Sequence, residues 1–147
     1  MEYWKYKAID KLKDYSLKKT ALVNLPEEIR RLEIDAQRIK SATADGTPVK
    51  GGGSGREERL ISNIVEREEH KAKLSIAKIT VEMVDRGLAV LDPDERHILD
   101  TMYIYRTKGS VSRLMEEYNL VEESSLYKKV NKALLRFTMA MYGVTEY

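Results

Sequence analysis

The sequence predicts an all-α protein. Apolar residues recur at spacings of three and four along most of the chain, and no segment shows the strict alternation of a half-buried strand. The periodic stretches are separated by turn formers, notably Asn24-Leu25-Pro26, Gly46-Thr47-Pro48 and Thr107-Lys108-Gly109. At 147 residues the chain suits one domain, or a small domain with an extended arm. Its 34% charged content is high, as helices with large exposed faces require.

Residues 2–23 form the first expected helix. Trp4, Ala8, Leu12, Tyr15 and Leu22 fall near one face, with lysines on the other. Trp4, Tyr3, Tyr6 and Tyr15 are expected to seal a helix pair. Asn24 disfavours a helix interior, and Pro26 suits the first turn of a second helix, with Glu27 and Glu28 at its positive end. Leu25, Ile29, Leu32, Ala36 and Ile39 then make an a/d row too short to stand alone, so it needs a partner helix. The expectation is an N-terminal helical pair over 1–41.

A Gly/Pro-rich loop is expected over 42–55. Its glycines do not make a phosphate-binding loop: Gly55 is followed by Arg56-Glu57-Glu58, and no strand precedes it. Residues 56–90 read as one long helix, on the order of 50 Å at 1.5 Å per residue. Ile61, Val65, Ala72, Ile76, Ile79 and Met83 share a stripe, while 66–73 is almost wholly charged. Part of such a helix must project, or pair with the N-terminal helices or another copy. Gly87 weakens its end and allows a bend.

Residues 91–147 read as three short helices. In the first, Asp92 caps, Pro93 takes the first turn and Glu95 completes a capping box; Ile98, Leu99, Met102 and Tyr103 form its apolar face. Ser110 is expected to cap the second, which carries Val111, Leu114, Met115 and Tyr118. Ser124 is expected to cap the third, with Leu126, Val130, Ala133, Leu134 and Phe137 inward and Gly143 as its stop.

Composition narrows the function. Absence of cysteine excludes disulfides and thiolate metal sites. No apolar run approaches the roughly 20 residues that span a bilayer, and the N-terminus lacks a signal peptide's apolar core, so a soluble, cytoplasmic protein is expected. His70 and His97 are the only histidines, and no set of three or four metal ligands converges in sequence. Neither a nucleophile with its base nor a catalytic carboxylate pair is identifiable, so no enzyme, cofactor or metal is expected.

Net charge is only +2, but its distribution is uneven. Lys128, Lys129, Lys132 and Arg136 follow Ser124 with no acid before Glu146. A tight turn leading into an acid-free basic helix is the pattern of a helix-turn-helix that enters the DNA major groove. Ser125, Lys128, Lys129 and Lys132 are the candidate contacts. Ser124 serves first as an N-cap and second as a phosphate donor, and Tyr127 is either packing or a phosphate donor. Lys108 and Arg113 are candidates for the DNA backbone.

Leu91-Asp92-Pro93-Asp94-Glu95-Arg96, Val111 with Leu114, and Leu126-Tyr127 with Val130 and Lys132-Ala133-Leu134 resemble region 4 of bacterial sigma factors. With Ser41-Ala42-Thr43-Ala44-Asp45-Gly46-Thr47-Pro48 and Tyr142-Gly143, the chain resembles phage ArpU/RinA-type late transcriptional regulators. That resemblance implies activation of late phage genes in the host bacterial cytoplasm, on double-stranded DNA, with host RNA polymerase as a possible partner. The turn after Tyr118 is one residue longer than in sigma region 4, and Glu123-Ser124-Ser125 replaces the usual Arg-Glu-Arg, so promoter preference does not transfer. The N-terminal and central helices are expected to supply either homodimerisation or contact with RNA polymerase. Two other readings fit the residues: a small terminase-like DNA-packaging factor, and a helical adaptor without a nucleic acid ligand.

Overall fold

A computed structural model of the chain describes residues 2–42 and 52–143. Those residues form helices joined by short turns, without a strand. The elements are α1 (Tyr3–Ser41), α2 (Gly52–Ala89), α3 (Pro93–Leu99), a π-helical turn (Asp100–Ile104), α4 (Ser110–Glu117) and α5 (Glu123–Tyr142). None of these helices is long and apolar enough to cross a membrane.

The first departure from expectation is α1. It is one helix, not a pair, and it runs through Pro26. Proline removes an amide donor and crowds the preceding turn, at a cost of about 3 kcal/mol in a helix interior. Apolar rows anchor the helix on both sides of this point: Ala8, Leu12 and Tyr15 before it, and Ile29, Leu32 and Ala36 after it, are all buried. Packing therefore outweighs the local break signal. Glu28, expected at a new helix start, instead binds Arg31. The expected loop is also shortened at its far end, because α2 starts at Gly52. The remainder of that loop, 43–51, lies outside the described residues.

Two compact units divide the chain. One comprises Lys19–Lys78. Here the later part of α1 packs antiparallel to the first part of α2. Asn63 Nδ2 donates to the Leu32 carbonyl at 2.8 Å, and Glu28 lies by Glu66 and His70. The a/d row of α1 meets its partner helix in α2. The buried side of α2 differs from the expected stripe: Asn63 and Ala77 are buried, whereas Ile61, Val65 and Ile76 are exposed.

The other unit comprises Met1–Lys18 with Ile79–Tyr147. Its core joins Ala8, Leu12 and Tyr15 of α1, Val84 and Leu88 of α2, Leu99 of α3, Leu114 of α4, and Leu126, Val130, Leu134 and Phe137 of α5. The Tyr15 hydroxyl bonds to Asp85. Of the aromatic group expected to seal helices, only Tyr15 is buried; Tyr3 and Tyr6 are each 62% exposed. Gly87 is a contact point rather than a bend. A Cβ there would stand 2.8 Å from Phe137 Cε2 and Met141 Cγ, so only a bare backbone lets α5 approach.

Local signals explain most helix ends in this unit. The Asp92–Glu95 capping box forms as expected, with the Glu95 amide donating to Asp92 Oδ1 at 2.8 Å. After Leu99 the chain widens into a π turn, closed by the Tyr105 amide on the Asp100 carbonyl at 2.7 Å. Ser110 does not cap α4 as expected. Its hydroxyl, fully buried, accepts the Thr107 amide at 2.9 Å and so closes the preceding loop. α4 stops at Asn119, which is left-handed at φ 53°. The Asn119 amide donates to the Glu116 carbonyl at 3.2 Å, and the Leu120 amide to the Met115 carbonyl at 2.8 Å. This is a Schellman motif with asparagine in the position where glycine is commonest. Gly143 ends α5 at φ 82°, as expected.

Candidate nucleic-acid interface

The exposed surface of α5 is fixed by what it buries. Leu126, Val130, Ala133, Leu134 and Phe137 recur at three and four and point into the core. Lys128, Lys129 and Lys132 therefore stand away from the core row, and all three are exposed. Ser124 does not cap this helix. Glu122 is the N-cap residue, in extended conformation, and makes no side-chain cap bond. Ser124 sits inside the first turn, its hydroxyl donating to Glu122 Oε2 at 3.3 Å. The extended Glu122 moves the helix start back from Ser124, so that acidic residues, Glu122 and Glu123, occupy the positive end of the helix dipole. Ser125 is half-buried beside them.

The remaining candidates fall into separate environments. Lys129 and Lys132 line a groove of about 260 Å³ with Ile98, Tyr118, Arg136 and the acids Asp92, Asp94 and Glu95. Lys129 Nζ sits 5.5 Å from the Tyr118 ring centroid, and the Tyr118 hydroxyl donates to Asp94 at 3.2 Å. Burial, then the bond to Asp94, pushes the Tyr118 hydroxyl up to about 12. The Glu95 amide holds the Asp92 carboxyl below its usual range, with Arg136 adding to the effect. Three cations thus face three carboxylates, and the basic side of α5 is partly neutralised within the chain.

Tyr127 lines a second groove, of about 360 Å³, with Tyr6, Ile9, Asp10, Lys13, Met102, Tyr103 and Arg106. Burial raises the Tyr103 hydroxyl above its ordinary value, the neighbouring Tyr127 adds to this, and Arg106 opposes it. Lys13 and Arg106 were not among the sequence candidates. The π turn places Tyr103 and Arg106 together here, and nothing in the helical periodicity announces that insertion. Lys108, in the loop before α4, and Arg113, on α4, are exposed. With Lys128 they line neither groove.

The histidines are better connected than expected. His97 Nε2 lies 2.7 Å from Glu117 Oε2. In the unit Lys19–Lys78, Glu28, Glu66 and His70 each bring a ligand-type atom within 4.8 Å of the others. The expectation that no such set converges is corrected, because antiparallel packing adds Glu28 of α1 to a pair one turn apart on α2. Arg31 already holds the Glu28 carboxylate, with Nη2 to Oε1 at 2.6 Å and Nε to Oε2 at 3.0 Å. Those bonds lower the Glu28 carboxyl below its ordinary value.

Comparison with family models, with curated proteins and with solved structures returns no match.

Proposed function

We propose that this chain is a sequence-specific, double-stranded DNA-binding transcriptional regulator that acts by binding rather than catalysis. α4 and α5 serve as a helix-turn-helix, and the helix beginning near Ser124 reads the major groove. The single observation supporting this reading is the exposure of Lys128, Lys129 and Lys132 on a helix whose opposite side is anchored in a core. Lys108 and Arg113 supply backbone contacts from the preceding loop and helix. On this reading the chain works in a bacterial host cell as an ArpU/RinA-type late-gene activator, with host RNA polymerase as a partner.

Selection from a random duplex pool, followed by binding titrations against salt, tests the proposal. The selected duplex should bind far more tightly than pooled sequence, with affinity falling steeply as salt rises. Combined Lys128→Ala, Lys129→Ala and Lys132→Ala should weaken binding and reduce the salt slope by about three at most. An unchanged slope removes α5 from the interface. Failure to enrich any sequence removes specific recognition.

A further inference from the structure

We propose that the outward face of α2 carrying Ile61, Val65 and Ile76 pairs with the same face of a second copy, antiparallel and about a twofold axis. Exposed Ile61, Val65 and Ile76 supply the apolar part of the seam, at 60%, 52% and 58% exposure. With Glu68 and Ala72 between them, these positions step by four, three, four and four, a heptad-like row with one stutter. The other side of α2 is already engaged, with Asn63 bonded to Leu32 and Ala77 buried. The seam is thus a second apolar face on a helix that has spent its first.

Charge order selects both the occupant and its direction. Glu66, Glu68 and Glu69 precede His70, while Lys71, Lys73 and Lys78 follow it. Arg67, the exception, is half-buried rather than on the open face. Antiparallel pairing centred between residues 70 and 71 sets Val65 opposite Ile76, and brings Glu69 towards Lys73 and Glu68 towards Lys71 of the second copy. Parallel pairing in register stacks Glu68 on Glu68 within the seam, which is repulsive. The exposed Lys71–Glu68 ion pair at 3.4 Å within one helix can be shared across such a seam without breaking. The surface is complementary to itself in one orientation only, as a twofold interface requires.

The full chain suits a direct test because it contains no cysteine. Val65→Cys and Ile76→Cys variants are prepared singly, then mixed and oxidised. Antiparallel pairing predicts crosslinks between the two variants in the mixture and little within either alone. Self-pairing would leave the sulfurs roughly 16 Å apart along the helix axis, beyond disulfide reach. Sedimentation should show a dimer that Val65→Lys combined with Ile76→Lys weakens at least tenfold, with helical content retained. Glu69→Lys should weaken it as well, and adding Lys73→Glu should restore it. Self-crosslinking of either single variant, or a wild-type chain still monomeric at about 100 µM, overturns the proposal. Neither readout involves DNA, so the outcome stands apart from the DNA-binding proposal.

Discussion

Arg136 on α5 bonds to Glu95 inside the capping box of α3, and its second terminal nitrogen donates to the Val90 carbonyl at 3.1 Å. Glu95 is therefore shared between a local device and a tertiary one. Its side chain is 11% exposed against 42% for Arg136, so the carboxylate loses more water than the guanidinium does.

Removing the cation should cost more than removing the charge on its partner. Arg136→Ala leaves a buried carboxylate uncompensated, which in a fully buried pair costs several kcal/mol. Solvent access to Arg136 reduces this to about 1–2 kcal/mol. Glu95→Gln keeps the capping acceptor and should cost less. Urea midpoints for the two variants check the ranking, and an unshifted Arg136→Ala midpoint would mean that water already serves Glu95.

Alanine at position 87 should destabilise the protein despite its better helix propensity. Propensity favours alanine by about 1 kcal/mol. The added methyl collides with the Phe137 ring at 2.8 Å, and Phe137 is fully buried and has no room to yield. Overpacking of this kind costs about 1–3 kcal/mol. Thermal unfolding of Gly87→Ala measures the sum, expected to be a net loss. Adding Phe137→Leu should recover part of it.

Alkali should destabilise the unit Met1–Lys18 with Ile79–Tyr147 through Tyr15. Burial and the Asp85 bond push the Tyr15 hydroxyl from 10.0 up to about 12. The fold thus favours the neutral phenol. Its contribution is complete below pH 10 and is lost as pH rises from 10 towards 12. The shift corresponds to on the order of 2 kcal/mol once both states are ionised. Tyr118 titrates in the same direction. Tyr15→Phe should therefore flatten the fall in stability above pH 10, measured by denaturant melts across that range. A slope identical to wild type would exclude Tyr15 as its source.

The acids around Lys129 should restrain DNA binding. Asp94 holds Tyr118, and Tyr118 holds Lys129. If α5 contacts phosphate, Asp94→Asn should tighten binding a few-fold by removing a nearby like charge to the phosphate. Lys128 shares no groove with those acids, so Lys128→Ala should weaken binding more than Lys129→Ala. Equal losses at 128 and 129 would show that the carboxylates do not screen Lys129.

Much of the architecture was legible because it is local. The Asp92-Pro93-Asp94-Glu95 start, the Gly143 stop and the inward row of α5 all follow from backbone donors, φ preference and helical period. Ser124 and Ser110 misled for a related reason. Each is an excellent cap residue, but a cap also needs the chain to enter the helix at that position. Glu122 adopts the extended geometry two residues earlier, and the Thr107 amide claims the Ser110 hydroxyl.

By itself, then, the sequence determined helix type, the core rows and the basic character of α5 beyond Ser124, since these depend on neighbours within a turn or two. Only the tertiary structure decided that α1 continues through Pro26 and that Gly87 admits Phe137. It also decided that Lys129 faces Asp94 and that the Ile61–Ile76 row of α2 is the outer one. Each of these turns on which helix lies against which. The periodicity that marks a helical face as apolar does not say what, if anything, will cover it.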